Sequence, residues 1–486
     1  MNIPDDALYT LLRQALETRA TTTRQRALYH VLREAILAGK LQPHSRLPGS
    51  RILAEVLTVS RNTINAALEQ LAIEGYLTRN RQGTMVSPLP SSPGATVASA
   101  QPVTLAAHLQ HLPGGIRRDS PARWLTPGLP ATNYFPLSLW RRLLDNVLRS
   151  EGSLLLGYGD PAGEPRLRVA IARHLALSRG IHCDASQIVI TEGSLEGMSL
   201  CTHILSQAGD VAWVEDPGYP GAKSIFMTAG LRVIGRSVDE EGLTLDNTSA
   251  AIPSLIFTSP SHQYPLGQVM SASRRLALLE YAQQQGAWIV EDDYDSEFRY
   301  SGEPIPAMLG MRENAPVVYL GTFSKTLFPA LRIGFMVMPP ALAEAVKPIV
   351  AALMRGGHRV EQRALAHFIE EGHYARHLAA MRRLYRKRQA ALRDALATEL
   401  RCPHQVRGGE GGLHLTVMLN NVNDVVLAEQ ARRWQLAPGA LSRLYLDPTT
   451  AQSGLILGYG NTSASHYLTA VRTLNRLIAQ LQHGQG

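Results

Sequence analysis

Five short apolar runs, at 187–191, 211–214, 255–258, 287–290 and 317–320, each break into a polar loop, with helical periodicity between them. That alternation confines the larger part of the chain to an α/β domain with a mainly parallel sheet, because parallel neighbours need a long crossover that is usually helical. Ligands of such sheets gather outside the carboxyl ends of the strands. The chemically distinctive residues fall there: Ser194 after the first run, Asp216 and Tyr219 after the second, Asp292 and Tyr294 after the fourth, and Thr322, Ser324 and Lys325 after the fifth.

Those side chains suit one kind of chemistry. Asp292 and Tyr294 are two apart on extended chain and share a face. Lys325 lies in Gly321-Thr-Phe-Ser-Lys-Thr-Leu-Phe-Pro-Ala-Leu-Arg332, between two hydroxyl residues and ahead of a guanidinium able to fork onto a phosphate. Gly193 and Ser194 at a helix start offer N–H groups and a hydroxyl to an anion, and Tyr219 is placed to stack on a ring. A lysine for a Schiff base, a carboxylate for a pyridine nitrogen, a phenol for a ring oxygen and a phosphate-binding set are what pyridoxal 5'-phosphate (PLP) requires. PLP is the expected cofactor.

The other end of the chain reads differently. Its 486 residues predict two or three domains. Residues 24–87 carry nine Lys or Arg against four Glu, most of the overall surplus of +8, which is the electrostatic footprint of a polyanion partner. Apolar spacing predicts a helix over 24–38 stopped by Gly39, a short helix capped by Ser50 through about Leu57, and a third from Arg61 to Glu74 capped by Ser60. Arg61, Asn62 and Thr63 then occupy a first helical turn, where side chains and N–H groups reach bases and phosphates together. Strand-like segments around a basic Asn80–Gly83 turn complete a wing. Residues 5–18 suit a further helix with no assigned role.

From Ser87 to about Leu125, prolines interspersed with Ser, Gly and Ala predict a linker spanning about 30 Å. The expected organisation is an extension at 1–23, a DNA-binding domain at 24–87, a linker at 88–125 and a large domain at 126–486. Apolar content of 45% with 18% charged residues describes a globular core, and the longest apolar runs are too short to span a membrane. Cys183, Cys201 and Cys402 have neither disulfide-framework nor metal-ligand spacing, which suits a reducing cytoplasm and predicts no metal.

Leu47-Pro-Gly-Ser-Arg51, Val59-Ser-Arg-Asn-Thr63, Leu71-Ala-Ile-Glu-Gly-Tyr-Leu77 and Gly83-Thr-Met-Val86 resemble the winged helix-turn-helix of the GntR family. The resemblance implies that Arg51, Arg61, Asn62 and Thr63 face DNA and that Arg79 and Arg81 approach phosphates or the minor groove. Gly49 stands where serine is common. Further on, Gly157-Tyr-Gly-Asp-Pro-Ala-Gly-Glu-Pro-Arg-Leu-Arg168, Ser259-Pro-Ser-His-Gln-Tyr-Pro-Leu-Gly267, Glu291-Asp-Asp-Tyr-Asp-Ser-Glu-Phe-Arg-Tyr300 and the Lys325 segment resemble fold-type I aminotransferases. In this order, the two parts resemble the MocR/GabR-type regulators. The resemblance implies that Lys325 forms the Schiff base, Asp292 pairs with the pyridine nitrogen and Tyr294 reaches the ring oxygen. Ser194, Thr322, Ser324 and Arg332 would hold phosphate, Tyr219 would stack on the ring, and Tyr158 would reach the phosphate of a neighbouring subunit's site in a homodimer.

Two departures bear on function. Tyr264-Pro-Leu-Gly267 replaces the Asn-Pro-x-Gly of many aminotransferases, which favours a regulator over an efficient enzyme. The segment 452–461 lacks the arginine that usually clamps a substrate carboxylate, and Arg443 is the nearest candidate. With Arg443 turned away, the effector is PLP itself, an amine or a sulfonate rather than an ordinary amino acid. The expected protein is a dimeric, PLP-dependent regulator of promoter DNA. Its rivals are a working aminotransferase with an appended DNA module and a constitutive DNA binder on an inert scaffold, the last disfavoured by the complete Lys, Asp and Tyr set.

Overall fold

The computed structural model describes residues 4–18, 23–80, 83–89, 104–106, 109, 112, 122–245, 251–300 and 302–483. The chain separates into two compact units, Met1–Thr104 and Leu105–Gly486.

The small unit holds four helices, α1 (Asp5–Thr18), α2 (Arg24–Leu37), α3 (Ser50–Leu57) and α4 (Arg61–Ile73), followed by the hairpin β1 (Leu77–Asn80) and β2 (Gly83–Val86). Gly39 follows α2 at φ +69, the left-handed turn that glycine adopts without strain. Ser60 caps α4 by accepting from the Thr63 N–H at 3.1 Å. The cap of α3 is Gly49, so Ser50 is its first helical residue rather than its cap. The Ser50 hydroxyl instead accepts from Arg61 Nε at 3.4 Å, linking the starts of α3 and α4.

Helix α1 belongs to this unit. It buries Leu8, Leu12 and Ala15 in one cluster with Leu28, Leu53, Leu68 and Leu71. Arg13 donates through Nε and Nη2 to the Val56 carbonyl at 3.3 and 3.0 Å, satisfying a group left open at the end of α3.

The large unit is built on an eight-stranded sheet ordered β3-β10-β9-β8-β7-β4-β5-β6. In chain order β3 is Ile188–Thr191, β4 Val211–Asp216, β5 Arg232–Asp239, β6 Gly242–Leu243, β7 Leu255–Thr258, β8 Trp288–Asp293, β9 Val317–Thr322 and β10 Gly334–Val337. Strands β3, β9, β8, β7, β4 and β5 run the same way, while β10 is antiparallel to both β3 and β9. Successive strand residues serve opposite faces. Val189, Val214, Val290 and Val318 pack against Met198, Phe226 and Val346 on one side. Trp213, Ile256, Ile289 and Val317 pack against Leu278, Leu279 and Ala282 on the other. A four-stranded antiparallel sheet, with β11 at His404–Arg407, β12 at His414–Leu419, β13 at Gly439–Ala440 and β14 at Gly454–Gly458, joins the 27-residue helix His373–Glu399 in a further core.

The large unit begins before residue 126. Arg123 Nη1 donates to the Arg432 carbonyl at 2.6 Å, the Trp124 N–H to the Gln435 carbonyl at 3.0 Å, and Leu125 is fully buried. No helix among the described residues is long and apolar enough to cross a membrane.

Because α1 shares the core, Leu12→Ala is expected to destabilise the small unit by about 2–5 kcal/mol. Hydrogen exchange of the buried α2 amides in the full-length chain reads this directly, and unchanged exchange would mean that α1 is an appendage.

Candidate functional site

The common direction of β3, β8 and β9 brings their carboxyl ends to one place. A cavity there is lined by Gly193, Ser194, Tyr219, Ser259, Tyr264, Asp292, Tyr294, Thr322, Ser324, Lys325 and Arg332, with residues 126–129 contributing from the start of the unit. Eight of the residues expected from sequence therefore converge in one pocket.

Lys325 Nζ donates to the Gly128 carbonyl at 2.8 Å. Gly128 has φ +69, and a Cβ there would lie 3.1 Å from Nζ, so the amine sits against bare backbone. Asp292, the penultimate residue of β8, lines the cavity, and its buried Oδ1 has no hydrogen-bond partner. Burial first, then the neighbouring Asp293 and Glu215 carboxylates, push its carboxyl up to about 7, while Lys325 pulls it down. A buried carboxyl oxygen lacking a partner is costly unless a ligand donates to it. Ser324 Oγ is a second buried polar atom without a partner in the same cavity.

Helix Ser194–Leu205 points its start into the pocket, with Gly193 at φ +86 before it. The Arg332 guanidinium lies flat on that glycine, 3.2–3.3 Å from where a Cβ would stand, and donates to the Glu192 carbonyl. A fixed cation beside helix N–H groups, with Ser194, Thr322 and Ser324 hydroxyls nearby, has the chemistry to cradle a phosphate. Tyr219 is pinned by Gly221, where a Cβ would fall 2.4 Å from the ring. The residues present fit a flat, phosphorylated, nitrogen-bearing aldehyde.

Other expected residues lie elsewhere. Tyr158 is 91% exposed and does not line its own chain's cavity. Arg443 is exposed on the short turn Ser442–Leu444 and is absent from the lining, so the nearest candidate for a carboxylate clamp does not reach the pocket. Asp216 is structural, pairing with Lys223 Nζ at 3.2 Å and accepting from the Leu446 N–H at 2.8 Å.

Sequence reading also missed a layer behind Tyr294. Its hydroxyl is 2.9 Å from the His262 carbonyl and 3.0 Å from His262 Nδ1, which in turn lies 3.0 Å from Asp295 Oδ1. His262, Asp295 and His414 form a buried trio whose ligand-capable atoms lie within 4.8 Å of one another.

On the small unit Arg51, Arg61, Asn62 and Arg79 are exposed. Thr63 is half-buried, with its hydroxyl 2.8 Å from Ser60 Oγ, so it reinforces the helix cap. Arg79 Nη2 donates to the Asn65 carbonyl at 3.3 Å, tying the wing to α4. Arg81 lies outside the described residues. Arg46, not anticipated, crosses Gly83, with Nε 3.0 Å from where a Cβ would be.

Comparison with known proteins agrees with both halves. Residues 24–86 match the bacterial regulatory proteins of the gntR family, and residues 131–436 match aminotransferase class I and II. The chain is 37% identical to the probable rhizopine catabolism regulatory protein MocR of Rhizobium meliloti, over 96% of each chain. It is 32% identical to the pyridoxine biosynthesis transcriptional regulator PdxR of Corynebacterium glutamicum, over 92% of this chain and 94% of that one. The kynurenine aminotransferase of Pyrococcus horikoshii, solved with PMP, superimposes with a TM-score of 0.68 at 26% identity, covering 74% of this chain and 91% of that one. The chain belongs to the MocR-type transcriptional regulators, in which a GntR winged helix is joined to an aminotransferase-like domain.

Proposed function

We propose that this protein is a PLP-dependent regulator whose winged helix grips promoter DNA and whose cavity reads an amino-group metabolite or PLP itself. The observation carrying the cofactor reading is the unpartnered Asp292 oxygen, in the same cavity as the Lys325 amine, the Tyr294 phenol and the Arg332 cradle. When bound, PLP supplies an aldehyde that condenses with primary amines and a ring that accepts electron density. Lys325 offers the amine for attachment. Asp292, once ionised, holds a proton on the pyridine nitrogen, and Tyr294 donates toward the ring oxygen. Ser194, Thr322, Ser324 and Arg332 would hold the phosphate, and Tyr219 would pack on the ring.

With Arg443 outside the cavity, Lys325 and Arg332 are the cationic side chains among its described lining residues, and both are assigned to the cofactor. That supports an effector recognised through its amino group. The intact Lys325, Asp292 and Tyr294 set supports exchange of an external amine rather than an inert scaffold. The exposure of Tyr158 supports its role in a second copy's site, and so a dimer. Control of DNA binding requires the effector to prefer one arrangement of the protein over another.

The purified protein, dimeric in sedimentation, is expected to be yellow, with borohydride fixing the cofactor onto Lys325. Lys325→Ala is expected to fold but to lose the covalent link, as read by mass spectrometry. A colourless wild type indifferent to added PLP contradicts the cofactor reading.

In the cofactor-free protein Asp292 titrates near 7, above its unfolded value, so its protonated form is the better-tolerated one in the fold. The contribution of this group is complete below the unfolded pKa and is lost as pH rises through about 7. Thermal melts of the cofactor-free large unit within the full chain should fall between pH 5 and pH 8. Asp292→Asn should remove part of that fall, and an identical pH profile in the variant would assign it to other groups.

DNA affinity should drop steeply with added salt as phosphates release counterions. Arg61→Ala should cost about 1–3 kcal/mol if Arg61 reads a base. Titration of fragments from the chain's own upstream region at two salt concentrations measures both effects.

A further inference from the structure

We propose that His262, oriented by Asp295, is a positioning residue that donates Nδ1–H to the Tyr294 oxygen and so leaves the phenol's own proton for the cofactor ring oxygen.

The geometry is that of one shared proton, a three-centre bond from the single Nδ1–H to Asp295 and the Tyr294 oxygen. Nδ1 lies 3.0 Å from the Tyr294 hydroxyl and 3.0 and 3.2 Å from the two Asp295 oxygens, with all three groups buried or nearly so. A buried carboxylate beside an imidazole nitrogen fixes the tautomer with the proton on that nitrogen. In the structure the Tyr294 O–H has a second acceptor, the His262 carbonyl at 2.9 Å. A phenol that already accepts from Nδ1–H can turn its proton from that carbonyl to a ligand while keeping its oxygen satisfied.

The ring is closely packed against backbone. Gly412, at φ +76, presses its backbone onto the imidazole, and a Cβ there would stand 2.0 Å from Cε1 and 2.5 Å from Nδ1. The Gly412 carbonyl is gripped by the Tyr300 and Tyr459 hydroxyls at 2.5 and 2.7 Å. His414, the third member of the trio, is held neutral, its pKa pushed down to about 3 by burial and then by His262, and its Nε2 is 3.0 Å from the Pro265 carbonyl. His262 Nδ1 and His414 Nε2 are both engaged in hydrogen bonds, while the buried His262 Nε2 has no partner. Burial first, then Asp295, Tyr264, Asp292 and Glu215 from the surrounding elements, raise the pKa of Tyr294. Among these neighbours His262 is the group whose contacts allow it to donate to the Tyr294 oxygen.

This inference rests on the cofactor reading above, and the two fail differently. The test is a pH titration of the bound chromophore in full-length protein. A donor on the ring oxygen weakens that oxygen's hold on the proton of the Lys325–cofactor linkage, so loss of the donor raises the midpoint. His262→Leu is expected to raise it by roughly half a pH unit, in the same direction as Tyr294→Phe. His262→Asn, which keeps an N–H near the Nδ1 position, is expected to restore most of the wild-type value. In a Tyr294→Phe background His262→Leu should add nothing. Should His262→Leu fail to fold, the near-isosteric Asp295→Asn takes its place. Its amide can donate to Nδ1 and reverse the tautomer, and it is expected to raise the midpoint likewise. A coloured wild type whose midpoint ignores these substitutions overturns the proposal, as does an equal shift in the Tyr294→Phe background or a stoichiometric divalent metal in the purified protein. A wild type with no chromophore fails the cofactor reading instead.

Discussion

Four carboxylates fall within five consecutive residues at the end of β8, and each of them is buried. Burying so much like charge is tolerable only if every group has its own compensation. Glu291 accepts from the Met308 and Leu309 N–H groups at 3.1 and 3.3 Å. Asp293 pairs with Arg179 at 2.8 Å and accepts from the Tyr319 hydroxyl at 2.7 Å. Asp295 faces His262. The remaining one, Asp292, is turned by the strand's alternation into the cavity together with Tyr294. Three carboxyls are therefore anchored in the protein, and the fourth faces the cavity with an unpartnered oxygen.

The anchoring reaches far from the strand. Arg179 closes the helix Pro165–Arg179, so the same ion pair that neutralises Asp293 docks that helix on the sheet. Asp295 and His262 tie the end of β8 to the loop after β7, and Gly412 joins the antiparallel sheet to the same point. The cavity floor is consequently a junction of both sheets, and a shift of either would be felt at Tyr294.

Much of this was legible in sequence, and what was missed has a common cause. The strands showed themselves by apolar runs, and the residues at their carboxyl ends by their chemistry. The 287–290 run was expected to stop at Val290, yet β8 continues to Asp293, because Glu291 and Asp293 are satisfied by partners 17 or more residues distant that hydropathy cannot register. His262 and Asp295 stand 33 residues apart, and neither alone signals the other. Gly128, against which the reactive amine rests, comes from just past a segment with few periodic features. Residues 5–18 could be read as a helix, but that Leu12 joins the core of its neighbours depends on packing. Arg443 failed as a clamp because nearness in sequence to β14 did not bring it into the cavity: it sits exposed on a short turn.

The raised pKa of Asp292 has a consequence for the lifetime of the empty protein. An enzyme can afford a pocket that is sound only when loaded, since its cofactor stays through every turnover. A receptor that reports occupancy must persist with its pocket vacant and return from that condition unchanged. A carboxyl that accepts a proton near neutrality sheds part of the uncompensated charge left behind when a cationic partner departs. Emptying the pocket then costs the fold less than it would with a permanently ionised group.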